Sequence, residues 1–217
     1  EETPNYQYVA GRLINYHLRK QVYNTFTPPC LCDIIQDNID KGFYDPEFTD
    51  LYTKDEINEL NDYIKHERDE VLTYAAMEQF RGKYLVQNRA SGEIFETPQV
   101  AYIMIAATLF SKYPAETRMS YVKAYYDAIS QFKLSLPTPI MAGVRTPQRQ
   151  FSSCVLIETD DSLDSINATT SAVVKYVSQK AGIGIGAGSI RAVGSKIRSG
   201  DATHTGVIPF YKLFQSA

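Results

Sequence analysis

The stretch Phe151-Ser152-Ser153-Cys154-Val155-Leu156-Ile157-Glu158 decides the fold. Val155, Leu156 and Ile157 are a short run of β-branched and aliphatic side chains, which favours a buried strand over a helix. Cys154 then stands at the start of that strand, beside Ser153. Asp160-Asp161-Ser162 supplies turn and helix-cap chemistry, and a helical pattern follows over about 162–180. Before and after this segment strand and helix alternate, with a short strand expected near 140–144 and an extended piece through Ser189-Ile190-Arg191. Such alternation is the opening of an α/β domain. On local chemistry alone Cys154 is a small buried hydrophobe. A reactive thiol needs a partner, a lowered pKa or good access, and no partner is visible nearby.

Further towards the N-terminus the pattern is helical. Tyr6, Val9, Leu13 and Tyr16 recur at helical spacing within residues 4–26, until Thr27-Pro28-Pro29 breaks the run. Leu31, Ile34, Ile35 and Ile39 make a second, short amphipathic helix. Cys30 and Cys32 flank its start, but no further Cys or His is close enough in sequence to complete a metal site, so both read as packing residues. Thr53-Lys54-Asp55-Glu56 is a capping box, followed by Ile57, Leu60 and Ile64 on one face. A helix is expected over 67–80, with His66 in a solvated charged run. Tyr84-Leu85-Val86 and Glu93-Ile94-Phe95 suggest a hairpin turning at Gly92. Thr97 and Pro98 open a strongly apolar, central helix, and Pro114 opens another carrying Tyr121, Val122, Tyr125 and Ile129. Pro137 and Pro139 argue against helix in Leu134–Met141. The sequence therefore divides near 133, into a mainly α domain over 1–133 and an α/β domain over 134–217.

The totals set limits. A chain of 217 residues with 44% hydrophobic side chains supports one sizeable core or a domain and part of a second. A net charge of −3 argues against a broad nucleic-acid surface. No apolar run approaches a membrane span, and three cysteines fit a reducing, cytoplasmic setting better than a disulfide scaffold. The absence of an initial Met and the helical pattern running into Ala217 are expected of a piece of a longer polypeptide.

Gly182, Gly184 and Ala187 match the spacing of a dinucleotide fingerprint, which requires a strand before it and a helix after it. Here a helix precedes it, with Gly182 as its expected C-cap, and an extended segment follows, so the fingerprint is rejected. Arg191, Lys196 and Arg198 lie in a glycine-containing, loop-like stretch. They form either a solvated basic loop or a phosphate clamp, since Arg offers paired donors to phosphate. His204 has no local partner that makes it a base.

The chain resembles the large (α) subunit of class I ribonucleotide reductase. The resemblance rests on Tyr6-Gln7-Tyr8 with His17-Leu18-Arg19-Lys20, Gly82-Lys83-Tyr84-Leu85-Val86, and Ser135-Leu136-Pro137-Thr138-Pro139-Ile140-Met141. It continues through Arg145-Thr146-Pro147, Arg149 to Ile157, Ser162-Leu163-Asp164-Ser165-Ile166-Asn167, Ala181-Gly182-Ile183-Gly184-Ile185 and His204-Thr205-Gly206. It implies a helical N-terminal domain followed by the first strands and helix of a ten-stranded α/β barrel. It also implies reduction of ribonucleoside diphosphates to 2′-deoxy products, the step that supplies DNA replication. In that chemistry a thiyl radical abstracts the 3′ hydrogen and two further thiols end as a disulfide.

By the family pattern Cys154 is one of those reducing thiols. Thr138, Ser153, Cys154, Ala181 and Gly182 contact the substrate. Asp161, Ser162, Leu163, Arg191 and Arg198 form the allosteric specificity site for a deoxynucleoside triphosphate or ATP, at a homodimer interface partly built by the 162–180 helix. No metal or cofactor is expected on the chain itself, and the radical cofactor belongs to a separate small subunit. Thioredoxin or glutaredoxin is the expected reductant of the full enzyme. The N-terminal ATP-cone, the radical cysteine, the second reducing thiol and the C-terminal redox cysteines have no counterpart in this sequence. The chain is therefore expected to be inactive alone, needing the remainder of the large subunit or a complementary chain. Two alternatives remain at this point: half of a split reductase, or a non-catalytic nucleotide-binding and assembly module. Neither nucleic acid nor a membrane is an expected partner.

Overall fold

A computed structural model describes residues 3–179 and 181–217, and Lys180, at the end of the expected long helix, lies outside them. The chain divides into two units, Glu1–Phe151 and Ser152–Ala217.

The first unit is helical. It comprises α1 (Tyr6–Tyr23), α2 (Leu31–Asp40), α3 (Phe48–Leu51), α4 (Lys54–Tyr63), α5 (Tyr74–Gln79), a two-strand hairpin of β1 (Gln87–Asn88) and β2 (Glu93–Ile94), α6 (Pro98–Phe110), α7 (Ala115–Ser130) and α8 (Thr138–Gly143). The centre is α6, apolar on every side, with Val100, Ala101, Ile103, Ile105, Ala106 and Ala107 sealed from solvent. A helix hydrophobic all round must be enclosed by others, and α7 packs along it. The capping box forms as read: Thr53 Oγ1 accepts from the Glu56 N–H at 3.3 Å, and Glu56 Oε2 accepts from the Thr53 N–H at 2.9 Å. Thr97 stands at the N-cap of α6 without a side-chain cap; its hydroxyl lies 3.3 Å from the Tyr23 hydroxyl instead. In α1, Gly11 faces the backbone of Leu72, where an added Cβ would lie 2.0 Å from the carbonyl oxygen.

Several expectations change. The helix expected over 67–80 is a 3₁₀ turn (His66–Val71), then α5, then a π-turn (Phe80–Tyr84). Leu72 is extended between them, and Thr73 caps α5 by accepting from the Ala76 N–H. His66 is half-buried rather than solvated. The strand expected near 140–144 is the helix α8. Pro137 is its N-cap and Pro139 lies in its first turn, where a missing N–H breaks no helical bond.

Residues 134–151 belong to the helical unit, so its limit falls after Phe151 rather than near 133. Met141 and Val144 enter the core formed with α6. Arg145, 1% exposed, is bonded to the fully buried Glu96. Tyr44 also donates to Glu96 at 2.5 Å, the Val86 N–H at 2.6 Å, while Arg145 reaches the carbonyls of Met141 and Tyr84. A buried carboxylate this well supplied with donors is stable only while its cation stays in place.

The second unit is a βαβ unit with a hairpin and a final helix: β3 (Cys154–Glu158), α9 (Leu163–Ser178), β4 (Gly182–Gly186), β5 (Lys196–Ile197), β6 (Ala202–Thr203) and α10 (Ile208–Ser216). β3 and β4 pair in parallel, Cys154 opposite Gly182 and Glu158 opposite Gly186. The glycine run is thus itself a strand; Gly182 begins β4 and is not a helix C-cap, and Gly188–Ile190 turns rather than extends. Ile166 of α9, Phe214 of α10, Ala187 and Ile190 form the small core, with Ile185 packed against it.

Candidate functional site

Strand alternation gives β3 and β4 two unlike faces. Val155, Ile157, Ile183 and Ile185 are half-buried, and Ile185 meets the α9 and α10 core. Cys154, Leu156 and Glu158 point the other way, and Leu156 is 85% exposed in place of the buried residue expected there. Opposite them on β4 stand Gly182, Gly184 and Gly186, which carry no side chains. Leu156 and Glu158 lie over the last two: a Cβ on Gly184 would meet Leu156 Cδ2 at 2.7 Å, and one on Gly186 the Glu158 carboxylate. The result is a smooth face, turned away from the α9 and α10 core, with an exposed thiol at its beginning.

The pairing assembles four of the expected substrate residues. The Gly182 N–H donates to the Ser153 carbonyl at 3.0 Å, so Ser153, Cys154, Ala181 and Gly182 meet at the first rung of the ladder. The Ala181 N–H is spent on the Tyr176 carbonyl at 3.1 Å. Both backbone donors are therefore engaged inside the chain, and an anion here would depend on hydroxyls. Thr138, the fifth, is an exposed residue at the start of α8 in the helical unit.

At the opposite end of β3 the chain leaves through Thr159, whose N–H donates to the Gly186 carbonyl at 2.8 Å and whose hydroxyl lies 2.7 Å from that of Thr169. Ser162 is the N-cap of α9, accepting from the Ser165 N–H at 3.1 Å, and Leu163 after it is 78% exposed. Asp161 accepts from the Arg191 backbone N–H at 3.1 Å and from its Nε at 2.7 Å. These bonds hold the Asp161 carboxyl below the usual carboxylate range. Arg191 is thus bound to a carboxylate, not free as a simple clamp requires. Arg198 differs: it occupies the tip of the β5–β6 hairpin with φ at 51° and is exposed; its carbonyl accepts from the Asp201 N–H at 3.2 Å, but its guanidinium forms no hydrogen bond or ion pair with another described residue. Ser199 beside it also has positive φ. His204 Nδ1 accepts from the Gly206 N–H at 3.0 Å, and its ring stacks on Phe210.

The Asp161–Arg191 pair was beyond local reading, because its members stand 30 residues apart. Three clefts of the helical unit, of about 190 to 280 Å³, are lined by residues other than the expected site residues. Among the described residues Cys30, Cys32 and Asp33 bring metal-capable atoms within 4.8 Å of one another.

Two family models match. Residues 70–149 match the ribonucleotide reductase all-alpha domain, and residues 152–217 match the ribonucleotide reductase barrel domain. The chain belongs to the ribonucleotide reductase large-subunit family. The similarity to whole proteins runs along its entire length. It is 61% identical over 216 residues to ribonucleoside-diphosphate reductase 1 subunit alpha of Escherichia coli K12, covering all of this chain and 28% of that protein. It is 61% identical over 217 residues to ribonucleoside-diphosphate reductase subunit alpha of Haemophilus influenzae, covering 29% of it. With ribonucleoside-diphosphate reductase subunit alpha of Enterobacteria phage T4 the identity is 50% over 216 residues, again covering 28%. The chain thus spans less than a third of the length of the relatives it matches, as a helical N-terminal unit followed by the start of the barrel domain. No helix among its described residues is long and apolar enough to cross a membrane.

Proposed function

We propose that the chain is part of a ribonucleoside-diphosphate reductase α subunit and that Cys154 is one of its two reducing thiols. The observation that carries this reading is the place of Cys154: first residue of β3, on the glycine-lined face opposite α9. In an α/β barrel the helices cover the outside, so this face is the lumen side, where a substrate ribose is within reach of a strand-end thiol. Two thiols give up two electrons and two protons, the substrate 2′-oxygen leaves as water, and the sulfurs join as a disulfide. The radical that initiates the reaction comes from a separate small subunit. With the Ala181 and Gly182 N–H groups engaged, this unit's contact to the diphosphate falls to the Ser153 hydroxyl, while Gly182 lets substrate approach the backbone closely.

The loop beyond β3 is the effector site in the same reading. Arg198 offers a free guanidinium for the triphosphate, and Asp161 fixes Arg191 beside the cap of α9. Val174 and Val177, exposed on α9 at 49% and 53%, supply an apolar strip for a second copy of the subunit. The chain alone is expected to reduce no ribonucleoside diphosphate. In the complete α subunit assembled with its small subunit, Cys154→Ser should abolish deoxynucleotide formation and leave effector binding unchanged. Sustained turnover by that variant would refute the assignment.

A further inference from the structure

The thiols of Cys30 and Cys32 lie outside all of this chemistry, and their sulfurs are 2.7 Å apart. We propose that they form a dithiol–disulfide site that is oxidised by exchange with a small-molecule disulfide. Cys30 is the N-cap of α2 and Cys32 lies in its first turn. The helix start is fixed by Leu31, 1% exposed, whose N–H donates to Asn61 Oδ1 of α4 at 2.9 Å. The two sulfurs are thus held on an anchored element, and both cysteines are half-buried, within reach of a small reagent.

A metal would need a different spacing. With metal–sulfur bonds of about 2.3 Å in a tetrahedral site, the sulfurs stand roughly 3.8 Å apart, so this pair would have to open. A disulfide, at about 2.05 Å, asks it to close by less. Asp33 Oδ1, 3.6 Å from Cys32 Sγ, is the one further donor in the group, which leaves a metal short of its usual four ligands.

The hydrogen bond to Cys30, burial and the neighbouring Asp33 push the Cys32 thiol up to about 11. Cys30, at the N-cap where the helix start favours a thiolate, acts first. Cys30, as thiolate, attacks one sulfur of the reagent; a Cys30–reagent disulfide forms and one reagent thiolate leaves. Cys32 then loses its proton and attacks Cys30 Sγ, forming the Cys30–Cys32 bond and expelling the second reagent thiolate. Two protein thiols are oxidised and one small disulfide is reduced to two thiols.

The test is to expose the reduced chain to oxidised glutathione, quench with acid, alkylate and map the peptides by mass. The expected result is a peptide holding both Cys30 and Cys32 that has lost two hydrogens and takes no alkyl group, while Cys154 reports ordinary thiol exposure by carrying glutathione. In Cys32→Ser the reaction should stop with glutathione retained on Cys30. Glutathione on both cysteines of the native chain without closure would overturn the proposal, as would no reaction at either while Cys154 is modified. One zinc ion held by the reduced chain, with both thiols shielded from alkylation, would also overturn it.

Discussion

His66 and Asp69 sit in one 3₁₀ turn yet respond to acid in opposite senses. Burial and the Arg19 charge push the His66 imidazole down to about 4. Burial pushes the Asp69 carboxyl up to about 7; Gln99 Nε2 donates to it at 2.9 Å, but Arg19, 3.8 Å away, is too distant to offset the desolvation. A lowered imidazole contributes stability above its ordinary value, near 6.5, and loses it as pH falls towards 4. A raised carboxyl contributes stability below its ordinary value, near 4, and loses it as pH rises through about 7. Between about 4 and 6.5 the two slopes oppose, each limited to roughly 1.4 kcal/mol per pH unit. Thermal unfolding should show this: Asp69→Asn makes stability drop more steeply on acidification over that window, and His66→Gln makes it rise instead. Parallel pH profiles for native chain and variants would contradict the cancellation. At the same scale, Arg198→Ala should weaken triphosphate binding by about 1–3 kcal/mol, the worth of a charge-assisted contact. Calorimetry with a deoxynucleoside triphosphate reads it, and unchanged affinity would remove Arg198 from the effector site.

Among the elements, α1 shows how a helix can require a residue that helices disfavour. Glycine inside a helix ordinarily costs about 0.5–1 kcal/mol against alanine. At Gly11 the balance reverses, because a Cβ there would lie 2.0 Å from the Leu72 carbonyl oxygen, a backbone atom with no rotamer to change. Gly11→Ala should destabilise the chain by roughly 1–3 kcal/mol through overpacking, read as a lower urea midpoint; a stabilised variant would mean that α1 does not approach Leu72 this closely. The elements also show what was legible in the sequence. The Thr53–Glu56 cap and the apolar α6 were readable, since their causes lie within one element. The glycine strand was not, because β4 carries side chains at two of its five positions and draws its order from β3. Leu156 was read as buried because its type is apolar, whereas the pairing puts it on the face away from α9. Cys154 begins the strand as its local pattern indicates, and the role proposed for it rests on resemblance alone.

For the whole molecule, residues 134–151 count with the helical unit although they differ from it in composition. The change in composition near 133 is real, but ownership of residues 134–151 is decided by Arg145 and Glu96, 49 positions apart. This has a consequence for where the polypeptide can be interrupted. A break between 151 and 152 leaves each unit with its own core and the Glu96 carboxylate with its cation. A break at 133 deprives Glu96 of Arg145 and the core of Met141 and Val144, and an orphaned buried charge costs about 3–5 kcal/mol. Residues 1–151 produced alone should therefore unfold cooperatively, whereas 1–133 should be molten or insoluble; equal cooperativity of the two would show that the ion pair does not set the limit. In any two-gene form of such a subunit, the tolerated junction is the point where no buried charge is parted from its partner.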